Sequence, residues 1–256
     1  MISLNRIVIL VVVVALAKTR TSTEAAKLPP EFDICKRNDP NINTCLRSAI
    51  EKAIRVMKDG IPSLHLLPID PLDITRIKIE QGRNRPVSLS IDLRDMKLRG
   101  LSTCQVRNVS ADIPNKHVEV DVFIPLLILD SNYIIDGKFL VLPVTGKGKT
   151  VGKIENAHIH VNLEAKPEIK KGNEHWNVFR FDLTISNITK LENEFENLFN
   201  GNQELAKPTI AALNEDWSLL WDEVRPAIEI AFGTVLKNVA NVIFSSVTEK
   251  DVLPLQ

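Results

Sequence analysis

The stretch from Pro208 to Ser246, PTIAALNEDWSLLWDEVRPAIEIAFGTVLKNVANVIFSS, predicts the element around which the rest of the chain is organised. Its apolar residues recur at steps of three or four, which is the period of one helical face. A single helix of this length would span roughly 57 Å, against roughly 46 Å for the diameter of a compact globule of this size. We therefore expect an elongated molecule wrapped along this helix. Pro208 should lie in its first turn, and Pro226 should bend or break it at the carbonyl of Asp222.

The middle of the chain, from Ile74 to Ile185, changes to a period of two. Apolar and polar side chains alternate over residues 87–93, 118–124, 159–165 and 179–185, with turn-forming Gly and Asn residues between these stretches. This pattern is typical of antiparallel strands that bury one face. The expected fold class is α+β, with a highly curved antiparallel sheet wrapped around the long C-terminal helix.

Two further helices are predicted on either side of the strands. The first covers Thr44–Lys58, with Gly60 as its stop. The second begins at Asn187, whose side chain would cap it, and places Leu191, Phe195, Leu198 and Phe199 on one face before Gly201.

The N-terminal residues have the pattern of a secretory signal peptide. Asn5-Arg6 precedes an apolar run, Ile7–Ala17, that ends in small residues and is shorter than the roughly 20 residues of a membrane span. We expect a signal peptide over residues 1–17, a flexible lead-in over 18–30 and a single ligand-binding domain over 31–256. An uncleaved signal anchor is the alternative. No later segment is expected to cross a bilayer, so the protein should be secreted and extracellular.

Cysteines and glycosylation motifs also fit export. Cys35 and Cys45 flank nine residues rich in Asn, Asp and Pro, a loop that a disulfide could close, whereas Cys104 is expected to be a buried, inert thiol. Asn108 and Asn187 each begin an Asn-X-Ser/Thr acceptor motif, which predicts a glycoprotein. The 32 basic and 32 acidic residues balance without a basic block, which argues against a nucleic-acid partner.

No group of residues predicts catalysis, a cofactor or a metal site. Gly148-Lys149-Thr150 resembles the end of a phosphate-binding loop, but Pro143 stands where the first glycine is required and no helix follows. His158 and His160 share one strand face and could ligate a metal, yet they should point to solvent. A lipid-modifying hydrolase would need a nucleophile and a base in contact, and the sequence suggests no such pair.

The interior is the remaining candidate for a functional site. A curled sheet with an apolar inner face, closed by a helix, either packs solid or leaves a tunnel that would bind an apolar ligand. Phe123 is included among the predicted lining residues although it points opposite Val122 and Ile124. The predicted lining residues are Phe123, Leu140, Phe179, Phe181 and Leu183 on the strands, and Trp217, Leu220, Ile228 and Phe232 on the helix.

The order and spacing of several short motifs resemble the takeout/juvenile hormone-binding protein family, within the tubular lipid-binding superfamily. The motifs are Cys35 and Cys45 flanking Asp39-Pro40, Gly60-Ile61-Pro62, LPIDPL at 67–72, Gly100-Leu101-Ser102, GKFLVLPV at 137–144, GKG at 146–148, NLFNG at 197–201 and LNEDW at 213–217. The resemblance implies a long helix wrapped by a curved sheet, forming an elongated tube with an internal hydrophobic tunnel. It also implies a secreted, non-enzymatic carrier of juvenile hormone, a fatty acid or another terpenoid or lipid.

Two functions from different classes remain open at this point. One is the carrier, expected to be a monomer whose partner is the small lipophilic molecule. The alternative is an extracellular interaction or signalling module of the same fold, which has no bound ligand and contacts a receptor or another extracellular protein.

Overall fold

The computed structural model describes residues 28–80 and 87–255. The predicted signal peptide, and residues 18–27 of the predicted lead-in, lie outside the described residues. The helices are α1 (Ile42–Val56), α2 (Gln203–Glu215), α3 (Trp217–Ser246) and the short α4 (Glu249–Val252). The strands are β1 (Leu72–Glu80), β2 (Val87–Arg99), β3 (Gln105–Asp112), β4 (His117–Phe139), β5 (Leu142–Lys170), β6 (Asn173–Asn187) and β7 (Lys190–Phe195).

One antiparallel sheet contains all seven of these strands, and its two longest strands organise it. The main order is β1-β2-β4-β5-β6, while β3 pairs with the first part of β4 and β7 with the first part of β5. Strands β4 and β5, of 23 and 29 residues, form the central hairpin. Because each pairs with two shorter strands in succession along its outer side, the sheet is long, and it curls around α3. The predicted α+β class and the curled sheet are confirmed.

The long C-terminal element is two helices rather than one. Helix α2 ends at Glu215, and Asp216 leaves helical geometry with φ −95° and ψ 33°. Helix α3 then continues through Pro226 for 30 residues, roughly 45 Å. Of the bend or break predicted at Pro226, the break was therefore wrong. Pro226 and Asp222 are both exposed, so water can reach the Asp222 carbonyl that the missing proline N–H leaves unpaired.

The start of this element was also misplaced. Helix α2 begins at Gln203, with the Asn202 side chain accepting the N–H groups of Glu204 and Leu205. Pro208 consequently lies inside α2 rather than in the first turn of the long helix.

The predicted helix after Asn187 is a strand. Asn187 is the last residue of β6 and caps nothing, and residues 190–195 form β7 against β5. Leu191 is buried in the core and Phe195 packs against it. A spacing of four residues places two side chains on one face of a helix and equally on one face of a strand, so the sequence pattern was ambiguous. Pairing with β5 decides the outcome.

The N-terminal helix is close to its prediction. Helix α1 and the 3₁₀ turn Met57–Asp59 together cover the predicted span, and Gly60 ends it with φ +80°. The predicted disulfide is present between Cys35 and Cys45, and it ties the preceding segment to the first turn of α1. Cys104 is a free, buried cysteine.

Helix α3 lies along the inner side of the sheet and contacts β6 most extensively. At Gly233 the two backbones approach so closely that an added Cβ would sit 3.0 Å from the Phe181 carbonyl oxygen. By length and composition alone α3 could span a membrane, since its mean hydropathy reaches 1.4, so the expectation that no later segment could do so was wrong. In the fold the inward-facing apolar residues of α3 pack against the sheet, whereas Leu219 and Ile230 are exposed.

Candidate functional site: an internal apolar cavity

An internal cavity of about 350 Å³ lies between α1, the C-terminal half of α3 and the concave side of the sheet. Residues near the N-terminal end of the described chain, such as Leu28 and Phe32, complete it. The main lining residues are Ile50, Ala53 and Ile54 of α1, Met57 of the 3₁₀ turn after it, Val118, Val120, Val122 and Ile124 of β4, Ile159, Val161 and Leu163 of β5, Phe181, Leu183 and Ile185 of β6, and Phe232, Leu236, Val239 and Ile243 of α3.

The burial of these side chains reflects the empty space beside them. Val122, Val161 and Leu236 point inward, yet each keeps part of its surface accessible. Core residues outside the cavity, such as Phe139 and Val144, are fully buried. Close-packed protein interiors leave few voids larger than a water molecule. The inner face of this sheet is therefore packed solid over one part of the fold and open over another.

Three of the predicted lining residues are brought together in the cavity wall. Phe181 and Leu183 face it from β6, and Phe232 faces it from α3. Phe181 and Leu183 alternate along β6 with Asp182, so their inward direction follows the period of two that the sequence displays.

Three predicted helix residues lie elsewhere. Leu220 and Ile228 are buried in the solid core and Trp217 packs against it, but none of the three lines the cavity. They belong to the N-terminal half of α3, whereas the cavity adjoins only the C-terminal half. The apolar stripe is continuous along the helix, so periodicity alone does not distinguish the two halves.

Phe123 lies on the opposite face of the sheet from the cavity. Its neighbours Val122 and Ile124 line the cavity, and strand alternation sends the ring of Phe123 outward. There the ring lies 5.0 Å from the His158 ring and 5.0 Å from the Arg107 guanidinium carbon.

Leu140 also falls outside the cavity wall. It occupies the turn between β4 and β5 with φ +54°, and it packs on the edge of the core beyond the region of the cavity. The turn ends the strand pattern, so the inward alternation does not continue through it.

Phe179 points outward because of a β-bulge. In the β5–β6 register Glu164 pairs with Arg180 and Ala165 pairs with Val178, which leaves Phe179 without a partner. Such an extra residue shifts the alternation of the strand by one position. Val178 consequently turns inward and is buried, while Phe179 is 51 % exposed.

The sequence reasoning missed the contribution of α1 to the wall. The sequence predicted this helix without assigning it to the site, yet Ile50 and Ala53 of α1 line the cavity, as does Met57 of the turn after it. Trp176 of β6 also lines the cavity and was not predicted. The β-bulge that turns Phe179 outward also turns Trp176 inward, because it changes which residues of the strand face inward.

The polar groups of the wall already have partners or are hard to ionise. Asp33 lines the cavity, is half-exposed and pairs with Lys52 at 2.6 Å, which places it where the cavity meets solvent. Trp176 Nε1 donates to Glu249 Oε2 at 3.0 Å. Burial, with a smaller contribution from the Glu51 carboxylate, raises the pKa of the Cys104 thiol to about 11. The wall is thus almost wholly apolar.

A buried ionic cluster closes the cavity near Trp176. The carboxylate of Glu249, at the start of α4, accepts from Lys116 and from Arg37 Nη1, the latter at 2.7 Å. Lys116 also pairs with Glu174 at 2.8 Å. Burial raises the pKa of Glu249, but hydrogen bonds from Lys116 and Trp176 outweigh this and hold it below its ordinary value. The cluster thereby fixes α4 over this end of the fold.

The other predicted sites are on the surface. Asn108 and Asn187, the two candidate glycosylation positions, are exposed. His160 pairs with Asp121 at 2.8 Å, and His158 lies against the Phe123 ring. Among the described residues no group of three or more His, Cys, Asp or Glu side chains could hold a metal ion.

Known proteins resemble this chain over most of its length. The family model described as haemolymph juvenile hormone binding protein matches residues 8–254. The circadian clock-controlled protein daywake of Drosophila melanogaster is 26% identical over 236 residues, 87% of this chain and 89% of the relative. A putative beta-carotene-binding protein of Schistocerca gregaria is 20% identical over 131 residues, which is 51% of each chain.

A solved structure agrees with the fold described above. The crystal structure of Epiphyas postvittana Takeout 1 has a TM-score of 0.75 and 25% identity to this chain, and the match covers 86% of this chain and 99% of that one. The resemblance inferred from the short motifs is confirmed. With a family match that spans residues 8–254, the chain belongs to the haemolymph juvenile hormone binding protein family.

Proposed function

We propose that this protein is a secreted carrier that holds a small lipophilic molecule in the internal cavity and performs no catalysis. The observation that carries the proposal is an almost wholly apolar cavity of about 350 Å³ inside a family fold of lipid-binding carriers. Ligand sites are typically about 300–1,000 Å³ and mostly apolar, so the cavity falls in the expected range. An interaction module with a solid core would leave no such space.

The energetics support a preformed site. An apolar ligand of about sixteen carbons gains roughly 13 kcal/mol at about 0.8 kcal/mol per buried CH₂, and association costs about 4–15 kcal/mol. The gain from burying the ligand lies within the range of the cost of association, so the ordering of the wall decides whether the ligand binds usefully. Here the wall is built on helices and strands, which lowers the part of the cost that comes from ordering the site.

The chemistry of the wall favours an uncharged ligand. No Lys, Arg or His lines the cavity among the residues that the structure describes, and Asp33 is already paired with Lys52. A carboxylate buried there would lack a counter-ion, which costs several kcal/mol. The locust relative is named as a putative binder of beta-carotene, a hydrocarbon without a charged group. We therefore favour neutral terpenoids, esters or hydrocarbons over free fatty acids.

Export and glycosylation are part of the same proposal. The signal-like residues 1–17 and the Cys35–Cys45 disulfide suit an oxidising, extracellular compartment, and exposed Asn108 and Asn187 suit glycan attachment. We propose a single domain over residues 31–256 that acts as a monomer, with a receptor or another extracellular protein as a further partner.

Displacement of an apolar fluorescent probe tests the carrier function. Delipidated protein should bind the probe saturably, and long-chain methyl esters should displace it. Val161→Trp, which fills the cavity, should weaken probe binding at least tenfold, whereas Val141→Trp, on a side chain that is 87 % exposed, should not. A folded, delipidated protein that binds neither the probe nor any ester would refute the proposal.

A further inference from the structure

We propose that Phe232 forms the inner end wall of the cavity and sets the greatest length of ligand that the protein accepts. The inference rests on the proposed carrier function and adds a rule of selectivity to it. It is carried by the place along the fold where lining residues give way to solid core.

Helix α3 marks this boundary on one side. Its lining residues begin at Phe232 and continue with Leu236 and Val239 toward the C-terminus. Ile228 and Val224, one and two turns before Phe232, are buried in the core and do not line the cavity. The ring of Phe232 therefore stands between the open and the solid part of the interior.

The first two strands mark the same boundary on the opposite side. Leu72 of β1 and Leu98 of β2 are partners in the register, and both line the cavity. The next inward pair, Ile74 and Met96, is buried and does not line it. The cavity therefore ends within two residues along these strands.

The central strands repeat the change. Ile159 of β5 lines the cavity, whereas Ala157, two residues before it, is fully buried and does not. On β4, Leu127 lines the cavity but Tyr133 belongs to the solid core. The lining thus gives way to solid core on α3, β1, β2 and β5, and we call this boundary the end plane. On β4 the lining extends as far as Leu127, whose partner on β5 is Ile154.

The position of Phe232 is fixed by its neighbour. Gly233 brings α3 so close to β6 that a Cβ there would lie 3.0 Å from the Phe181 carbonyl oxygen. The helix cannot move closer to the sheet at this level, and Phe232 itself is 4 % exposed. Close-packed interiors resist added volume, so a ligand that reaches this plane cannot extend further without displacing core side chains.

An end wall of this kind predicts how the affinity changes with the chain length of the ligand. With Asp33 at the solvent end, the ligand tail points toward Phe232. Each further CH₂ that fits should lower Kd about fourfold, the equivalent of its transfer free energy. Once the tail meets the ring, affinity should stop rising and then fall with each added carbon.

The test measures Kd by probe displacement for methyl esters of saturated fatty acids of increasing chain length. Phe232→Ala should move the best chain length up by about two or more carbons, since it removes the ring from the end plane. Leu236→Phe, one turn from Phe232 on the same wall of the cavity, should move it down. Leu220→Ala is the matched control, because this side chain is equally buried on the same helix but does not line the cavity. It should leave the best chain length unchanged.

Each outcome bears on one proposal only. Saturable binding by the wild-type protein, with a best length that none of the lining variants moves, would overturn the end wall and leave the carrier function standing. No binding by folded wild-type protein would overturn the carrier function. If Phe232→Ala does not fold, Phe232→Leu should still raise the best chain length and Leu236→Phe should still lower it. If neither variant changes the best chain length, the inference is overturned.

Discussion

The side-chain amide of Asn241 bonds both backbone groups of Val178. The Val178 N–H donates to Asn241 Oδ1 at 2.9 Å, and Asn241 Nδ2 donates to the Val178 carbonyl at 2.9 Å. Strand β6 is the last in the main order of the sheet, and Val178 is buried, so water cannot replace these bonds. Asn241 therefore supplies the two backbone hydrogen bonds that a neighbouring strand would otherwise make with Val178, and it fixes α3 against β6 beside the cavity.

Replacing Asn241 should destabilise the protein strongly for one polar side chain. Asn241→Ala leaves a buried donor and a buried acceptor unpaired, each at about 1–3 kcal/mol, so we expect a loss of about 3 kcal/mol in the free energy of unfolding. Asn238→Ala, an exposed asparagine on the same helix, should change it by less than about 0.5 kcal/mol. Urea denaturation measures both. Equal midpoints for the two variants would contradict this account of Val178.

A second prediction concerns Asp70, which joins two of the family motifs. Its carboxylate accepts the N–H of Gly100 at 3.0 Å and the N–H of Ser102 at 2.9 Å, as well as the Ser102 hydroxyl. These bonds hold the 3₁₀ turn Leu101–Thr103 in place, and Leu101 lines the cavity. Asp70→Asn should cost about 1–3 kcal/mol, since an amide NH₂ would face one of the N–H donors.

The stabilisation by Asp70 should disappear in acid. Burial raises the pKa of Asp70, but the hydrogen bonds from Ser102 and Gly100 outweigh it and lower the pKa below its ordinary value. A group whose folded pKa is depressed stabilises the fold above its unfolded pKa, about 3.9, and the contribution fades as pH falls through the folded value. The stability gap between wild type and Asp70→Asn should be constant from about pH 7 to 5 and shrink below about pH 4. Asp73→Asn, at an exposed site, is the control, and a gap independent of pH would argue against the carboxylate.

The sequence predicted the fold well because local patterns determine most of it. Alternation places Leu183 and Phe181 inward, and the three-to-four spacing of α3 identifies the core helix. Where the outcome depends on a distant partner, the sequence fails. Phe179 turns outward because β5 offers no partner at that position of the register, and residues 190–195 form a strand because β5 has a free edge there. Neither outcome can be predicted from the local sequence, because each depends on pairing with β5.

The cavity illustrates the same limit. Ile228 and Leu236 belong to one apolar stripe, yet the first is packed solid and the second lines open space. The difference is set by the packing around each residue: Ile228 lies among buried core side chains, whereas Leu236 borders the cavity that α1 also lines. Periodicity identifies which side of an element faces inward, but it carries no information on whether that interior is filled.

A third prediction tests the charge preference of the cavity. At neutral pH a saturated methyl ester should bind at least tenfold more tightly than the free acid of the same chain length, because the carboxylate finds no unpaired cation in the described wall. The gap should narrow as pH is lowered and the acid becomes protonated. Probe displacement measures both ligands. Lys52→Ala is the control variant, since Lys52 is the cation that pairs with the lining residue Asp33. Equal affinity for ester and acid in both proteins would contradict the preference.

The last prediction uses Tyr133, the one tyrosine of the 256 residues, so phenolate absorbance reports it without interference from another. Its hydroxyl donates to the Glu196 carbonyl at 2.8 Å, just beyond β7, and its ring meets the Phe195 ring edge-on at 5.0 Å. Burial, with a smaller contribution from the Glu196 carboxylate, raises the pKa of Tyr133 to about 12. The unfolded value is about 10, so Tyr133 stabilises the fold fully below about pH 10 and loses that contribution as pH rises toward the folded value.

Ultraviolet titration of native protein should therefore give a midpoint near 12, with circular dichroism to confirm that the chain is still folded. Tyr133→Phe should abolish the signal and cost about 1 kcal/mol for the lost hydrogen bond. A midpoint near that of unfolded protein, in chains that remain folded, would mean that water reaches the hydroxyl and that the segment after β7 does not cover it.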